Sequence, residues 1–191
     1  MKMEFVSRLS QRFIALIMLL LLTPFLFPLV IFLFIDDGLP ILFRQVRVGK
    51  DNHLFKIYKF RTMKKNTPDI ATHLLSNPEN VYTATGPLLR KLSIDELPQL
   101  LNIIKGEMVF IGPRPALHNQ DDLIEQRTAL GIHKLWPGVT GWAQINGRDE
   151  VSIEEKVRLD HHYLQNRSFA LDMYILFRTI LKSATAEDVS H

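Results

Sequence analysis

Two adjacent carboxylates, Asp95 and Glu96, stand in the otherwise largely apolar stretch LRKLSIDELPQL, Leu89 to Leu100. An ionised carboxylate can act as a nucleophile or hold Mg²⁺. The same pair can also complete a helix cap, since Ser93-Ile94-Asp95-Glu96 fits the capping box, in which Ser caps the first turn and an acid three residues on reaches back. Pro98 sits slightly too deep for a helix capped at Ser93 and suits the first turn of one starting near Leu97. Either start puts both acids at a helix N-terminus, which depresses a carboxylate pKa and favours an ionised Asp95. Cap and reaction centre both stay open on this local pattern.

Cations recur where they could serve such acids. In HLFKIYKFRTM the period of a strand puts Ile57, Lys59 and Arg61 on one face. Two neighbouring cations suit a diphosphate, or make a solvated basic face beside anionic lipid. Downstream, PQLLNIIKGEMVFIGPRP reads as a short helix, a stop at Gly106, a buried strand MVFI and the rigid Pro113-Arg114-Pro115. The prolines restrict the backbone on both sides of one guanidinium, which either grips phosphate as a fork or sits in a plain loop. Ser152-Ile153-Glu154-Glu155 is a second capping box, opening a helix to about Asn166. Its stripe runs Ile153, Val157, Asp160, Leu164, and an Asp in an apolar stripe must be paired or bind metal. Asp160 is therefore a candidate for the site, acting through an Arg, or one half of a structural salt bridge. His161 and His162 lack the ligand spacing for zinc and read as surface residues.

The elements that must position these groups begin with FIALIMLLLLTPFLFPLVIFLFI, Phe13 to Ile35, apolar except for Thr23, Pro24 and Pro28. It exceeds the roughly 20 residues a membrane-crossing helix needs and lacks the small-residue cleavage site of a signal peptide. Arg8 and Arg12 precede it, and Arg44, Arg47 and Lys50 follow, so both flanks carry the cytoplasmic mark. Phe13 to Leu22 gives about 15 Å of helix and Pro24 to Ile35 about 18 Å, each reaching the middle of a hydrocarbon core about 30 Å thick. A break at Thr23-Pro24 could turn the chain back; a single pass with a proline kink is the other option.

The remainder reads as one α+β unit, mainly helical with a short β-hairpin of ILFRQVRVG and HLFKIYKFRTM joined at Asp51-Asn52. Asp36-Asp37-Gly38 with Pro40 reads as a loop, and the polar stretch Asn66 to Gly86 as a long mobile one. Pro137-Gly138, Gly141 and Asn146-Gly147 punctuate another loop. A last helix, about Asp172 to Ser183, either lies at a membrane interface or packs on the core. With 191 residues, a net charge of +3 and acids interspersed with bases, nothing resembles a nucleic-acid-binding tail. The absence of cysteine excludes disulfides and thiolate metal sites.

Four stretches in order, KIYKFRTM (Lys56 to Met63), LRKLSIDELPQL, GEMVFIGPRP (Gly106 to Pro115) and PGVTGWAQINGR (Pro137 to Arg148), resemble the bacterial sugar transferase family. Its small members are monotopic phosphoglycosyl transferases that start glycan assembly on polyprenyl phosphate. The resemblance covers nearly the whole chain to about Ile180, and the length is similar to the minimal catalytic form. It implies residues 1–36 as a re-entrant membrane helix broken at Thr23-Pro24, and residues 37–191 as a catalytic domain on the cytoplasmic face of the bacterial inner membrane. It further implies that Asp95 attacks the β-phosphorus of a UDP-sugar, releases UMP, and passes the phosphosugar to polyprenyl phosphate. Asp95 and Glu96 are the expected holders of Mg²⁺, with Arg90 and Arg114 at the nucleotide phosphates and Lys59 and Arg61 as further candidates for that work. The sugar is not legible.

Two departures stand out. Family members commonly carry a basic pair and an acid just before the apolar segment, where this chain has Gln11-Arg12-Phe13-Ile14-Ala15; an anchoring contact by that acid is put in doubt. A Gly-Pro before the first strand is replaced by Leu39-Pro40, which concerns only a loop.

Overall fold

A computed structural model of the chain describes residues 2–65, 67, 81–147 and 151–185. Most of the expected Asn66 to Gly86 loop, and Arg148, lie outside the described residues.

The apolar run forms α1, Lys2–Asp37, a single helix that contains Pro24 and Pro28. The expected break at Thr23-Pro24 does not interrupt it. A proline removes only one helix hydrogen bond, and an apolar segment favours keeping all the others. The Thr23 hydroxyl donates to the Leu19 carbonyl at 2.8 Å. Asp36 and Asp37, expected in a loop, belong to the last turn. The helix stops at Gly38, whose φ of 68° and N–H bond to the Phe34 carbonyl make a left-handed C-terminal cap.

One stripe of α1 packs on the rest of the chain along its length. Ala15, Leu19 and Leu22 meet Ile57, Leu100, Ile103 and Met108. Further on, Leu26, Leu29, Val30 and Leu33 meet Phe60 and Leu89. Spacings of three and four are those of one helix face. The other faces expose Phe13, Leu20, Leu21, Phe25, Phe27 and Ile35. Among the described residues α1 is the helix long and apolar enough to cross a membrane.

The expected hairpin is present. Strand β1, Leu42–Val48, pairs antiparallel with β2, Leu54–Phe60, from Leu42 opposite Phe60 to Val48 opposite Leu54. Residues Asp51 and Asn52 at positive φ turn the chain between them. Next come α2, Gly86–Lys91, a 3₁₀ turn Ile94–Gln99, and α3, Leu100–Lys105. Asn102 of α3 is fully buried and clips the helix to β2: its Oδ1 accepts from the Tyr58 N–H at 3.1 Å, and its Nδ2 donates to the Lys56 carbonyl at 2.8 Å. After α3, Gly106 at φ 81° leaves room for the Arg12 guanidinium, which a Cβ would strike.

The expected buried strand is β3, Val109–Ile111, and its partner was not foreseen. It pairs in parallel with β5, Gly138–Thr140, inside the segment expected as a loop. A Cβ at Gly138 would lie 2.1 Å from the Gly112 nitrogen, so glycine lets these backbones meet. Between them lie β4, Ala116–Leu117, which joins the edge of β1, and α4, Asp121–Ala129. The short α5, Trp142–Ile145, precedes α6, Ile153–Asn166, and α7, Phe169–Thr185. The second capping box forms as expected, with the Ser152 hydroxyl accepting from the Glu155 N–H at 3.3 Å. Helix α7 buries Ile175 against Ile145 and Tyr163 while exposing Phe169, Met173, Phe177 and Ile180.

Candidate active site

The 3₁₀ turn that carries the acids is held from below. Ile94 and Leu97 pack against Leu33, Phe60 and Leu89, so α1, β2 and α2 all support it. Ser93 enters the turn in the left-handed conformation, φ 54°, and makes no side-chain cap to it. The Glu96 N–H bonds the Ser93 carbonyl at 3.2 Å. The capping box is therefore not formed, because a left-handed Ser is not in the extended geometry a cap requires. The Glu96 carboxylate instead turns toward two cations.

Lys59 on β2 places its Nζ 2.6 Å from Glu96 Oε1 and 3.9 Å from Asp95 Oδ2. Arg114 brings both terminal nitrogens to 3.3 Å from the same Glu96 oxygen. Arg90, in the last turn of α2, donates to the Tyr82 hydroxyl at 2.9 Å and stacks on that ring, with its charge close enough to act on Asp95. Three cations thus surround two acids, a surplus of positive charge that favours a polyanionic ligand.

Asp95 is only 5% exposed. Burial pushes its carboxyl above the ordinary range; Lys59 pulls it back, Glu96 raises it, and Arg90 and Arg114 lower it. The depressed pKa expected from a helix N-terminus is not what this site gives, because desolvation outweighs the dipole of one short turn. Among the described residues, its one ion pair is the long one to Lys59.

Two other expected members stand elsewhere. Arg61 does not join Lys59. Its Nε lies 2.8 Å from Asp37 Oδ2, and it donates to the carbonyls of Asp37 at 3.0 Å and Gly38 at 2.8 Å. Strand β2 ends at Phe60, so the alternation that would align Arg61 with Lys59 stops short of it. Asp160, 1% exposed, receives two bonds from Arg127, at 3.0 Å from Nε and 2.5 Å from a terminal nitrogen. Arg127 then donates its remaining terminal nitrogen to the Arg114 carbonyl at 2.8 Å. Asp160 is thus linked through Arg127 to the Arg114 backbone. It forms the buried salt bridge that was the other expectation for it.

Sequence reasoning missed Arg127, and also Arg47, which donates to the Pro115 carbonyl at 3.1 Å. Together they hold the Pro113-Arg114-Pro115 backbone from behind. The signal was there in part: Arg127 lies four residues after Leu123 on one helix face, and the apolar stripe of Asp160 asked for a cation. Among the described residues no three His, Asp or Glu gather as a cation cage. Two adjacent carboxylates nevertheless fit Mg²⁺, which keeps waters and uses one or two carboxylates together with substrate phosphates.

The family model described as "Bacterial sugar transferase" matches residues 2–186. An uncharacterized sugar transferase, EpsL of Bacillus subtilis, is 48% identical over 153 residues, covering 80% of this chain and 74% of that protein. The exopolysaccharide production protein ExoY of Sinorhizobium fredii is 39% identical over 183 residues, covering 87% and 80%. The UDP-glucose:undecaprenyl-phosphate glucose-1-phosphate transferase of Escherichia coli is 38% identical over 191 residues, covering 93% of this chain and 40% of that longer protein.

Proposed function

We propose, from the premise that this chain belongs to the bacterial sugar transferase family, that it moves a sugar-1-phosphate from a UDP-sugar to polyprenyl phosphate. The observation that carries this reading is the convergence of Lys59, Arg90 and Arg114 on the buried Asp95 and the half-buried Glu96. A cap alone needs no such cations, and Ser93 makes no cap here.

In the proposed reaction the donor diphosphate enters between Arg114 and Arg90. It competes for the Arg114 guanidinium that Glu96 holds in its absence. An Asp95 carboxylate oxygen bonds to the sugar-bearing phosphorus as the phosphoanhydride bond breaks, and UMP leaves with that electron pair. A phosphate oxygen of the polyprenyl phosphate then bonds to the same phosphorus, and the aspartate leaves as a carboxylate. Lys59 keeps Glu96 in place and holds positive charge near Asp95 through both steps. Asp95 and Glu96 would hold Mg²⁺, which neutralises diphosphate charge when bound.

A monotopic placement on the cytoplasmic face is part of the proposal. At the start of α1, Arg8 donates to the Gly106 carbonyl at 3.1 Å and Gln11 accepts from the Phe110 N–H at 3.0 Å. At its end, Asp36 accepts from the Thr85 hydroxyl at 2.8 Å and Asp37 pairs with Arg61. A helix with both ends tied to one polar domain is hard to place with those ends on opposite sides of a bilayer about 30 Å thick. The basic flanks, and the exposed apolar face of α7 as an interfacial helix, agree with this reading.

The test is a panel of UDP-sugars with Mg²⁺ and polyprenyl phosphate, scored by UMP release. One sugar should stand out, and Asp95→Asn should abolish its turnover. A folded Asp95→Asn variant that still releases UMP at the wild-type rate defeats the nucleophile assignment.

A further inference from the structure

The two guanidinium groups that flank the donor diphosphate in the reaction just described, Arg114 and Arg90, are fixed by the fold in different ways. Arg114 is held through its backbone, by the prolines on either side and by the bonds from Arg127 and Arg47 to the Arg114 and Pro115 carbonyls. Arg90 stands in the last turn of α2, a helix of six residues, and carries its charge at the end of a long, half-buried side chain. Tyr82 meets that end twice. Its hydroxyl accepts from Arg90 Nη1 at 2.9 Å, and its ring centre lies 5.3 Å from the guanidinium carbon.

Tyr82 is itself tied to the strand that carries Lys59. Just past the end of β2 at Phe60, the Thr83 N–H donates to the Thr62 carbonyl at 3.1 Å and the Lys64 N–H to the Val81 carbonyl at 2.8 Å, so that Met63 and Tyr82 form an antiparallel bridge. The first residue of α2 closes on the same segment: a Cβ at Gly86 would lie 2.1 Å from the Thr62 carbonyl oxygen. Lys59 and the tether of Arg90 therefore hang from one continuous stretch of backbone, and both cations act on Asp95. A phenol also suits the task chemically. It accepts the guanidinium's bond without bringing a negative charge, whereas a carboxylate in its place would cancel the cation that the phosphates need.

We infer that Tyr82 is a positioning residue of the proposed transfer, holding the Arg90 guanidinium in place before the donor arrives so that the diphosphate meets a fixed cation. The inference rests on the UDP-sugar reading above. A long side chain ordered in advance spares the freedom it would otherwise lose on binding, which is worth a factor of about two to ten in affinity.

The experiment measures UMP release against donor concentration for the full chain in detergent micelles, beside Tyr82→Phe, Tyr82→Leu, Arg90→Ala and the double variant Tyr82→Phe with Arg90→Ala. Tyr82→Phe keeps the ring and should raise the donor KM about threefold. Tyr82→Leu loses ring and hydroxyl together and should raise it about tenfold, with kcat at saturating donor changed by less than about twofold in both. In the Arg90→Ala chain, Tyr82→Phe should change kcat/KM by less than about 1.5-fold, since a residue that acts through Arg90 has nothing left to hold. A general structural role would weaken both backgrounds alike. Equal losses in the two backgrounds, or a folded Tyr82→Leu chain with the wild-type KM, overturn the assignment of Tyr82 alone, provided the wild-type chain releases UMP from a donor. A wild-type chain that releases no UMP from any UDP-sugar overturns the donor reading and this inference with it.

Discussion

Asp95 and Asp160 are both buried, at 5% and 1% exposure, and burial raises both carboxyls above the ordinary range. Their surroundings differ. Asp160 is gripped by two nitrogens of one guanidinium, and that guanidinium passes a third bond to the Arg114 backbone. Asp95 has one ion pair among the described residues, to Lys59 at 3.9 Å, while Glu96 beside it takes the short contact at 2.6 Å. A carboxylate bonded on this scale is committed to structure. One kept dry, with positive charge near but not on it, is free to form a bond to phosphorus.

The largest effect should separate the two by activity. Asp95→Asn is expected to lower UMP release by about a thousandfold or more, as loss of a nucleophile does, with the protein still folded by circular dichroism. Next, Asp160→Asn should cost about 3 kcal/mol of stability in denaturant unfolding, because it leaves the Arg127 charge buried and underpaired. The double variant Asp160→Leu with Arg127→Met should regain most of that stability and still turn over slowly, since the Arg114 carbonyl has lost its clamp. Full recovery of activity would reduce the pair to a simple strut. A third and smaller effect is expected at the fork. Arg114→Lys should raise the donor KM about tenfold, since an ammonium cannot make two parallel bonds to phosphate.

The smallest effect is a pH signature. A carboxyl whose folded pKa is raised is harmless below its unfolded value, near 3.8, and destabilises progressively as pH rises through the raised value. Asp95→Asn removes that burden. The variant should therefore melt about 2–4 °C above wild type at pH 7.5, with the gap closing toward pH 4. A gap that widens on acidification would mean that Asp95 is held by a strong partner in the way a salt-bridged acid is.

Local signals made much of this legible. The hairpin follows from alternation about Asp51-Asn52 and the α6 start from its capping box, whereas the expectation that Asp95, Glu96 and Arg114 share a site came from the four stretches in order. What failed were inferences that needed the tertiary setting. Ser93-Ile94-Asp95-Glu96 spells a cap, but the left-handed Ser93 denies it, and burial then overrides the helix end as the main influence on Asp95. The strand period that would align Arg61 with Lys59 ends one residue before it. The partners Arg127 and Asp160 are far apart in sequence, and the β3–β5 pair joins strands across an intervening helix, so no short window could show either contact. The Thr23-Pro24 step reads as a break, and α1 runs through it because a proline costs one helix hydrogen bond while the rest are kept.

The most direct measurement concerns Asp95 itself. The wild-type chain is mixed with its preferred UDP-sugar and Mg²⁺ without lipid acceptor, quenched in acid, and read by intact mass and peptide mapping. The expected result is one equivalent of UMP and a matching sugar-phosphate adduct on the peptide that contains Asp95, discharged when polyprenyl phosphate is added. UMP formed only when the acceptor is present, with no adduct at any time, would mean direct transfer and contradict a nucleophilic Asp95.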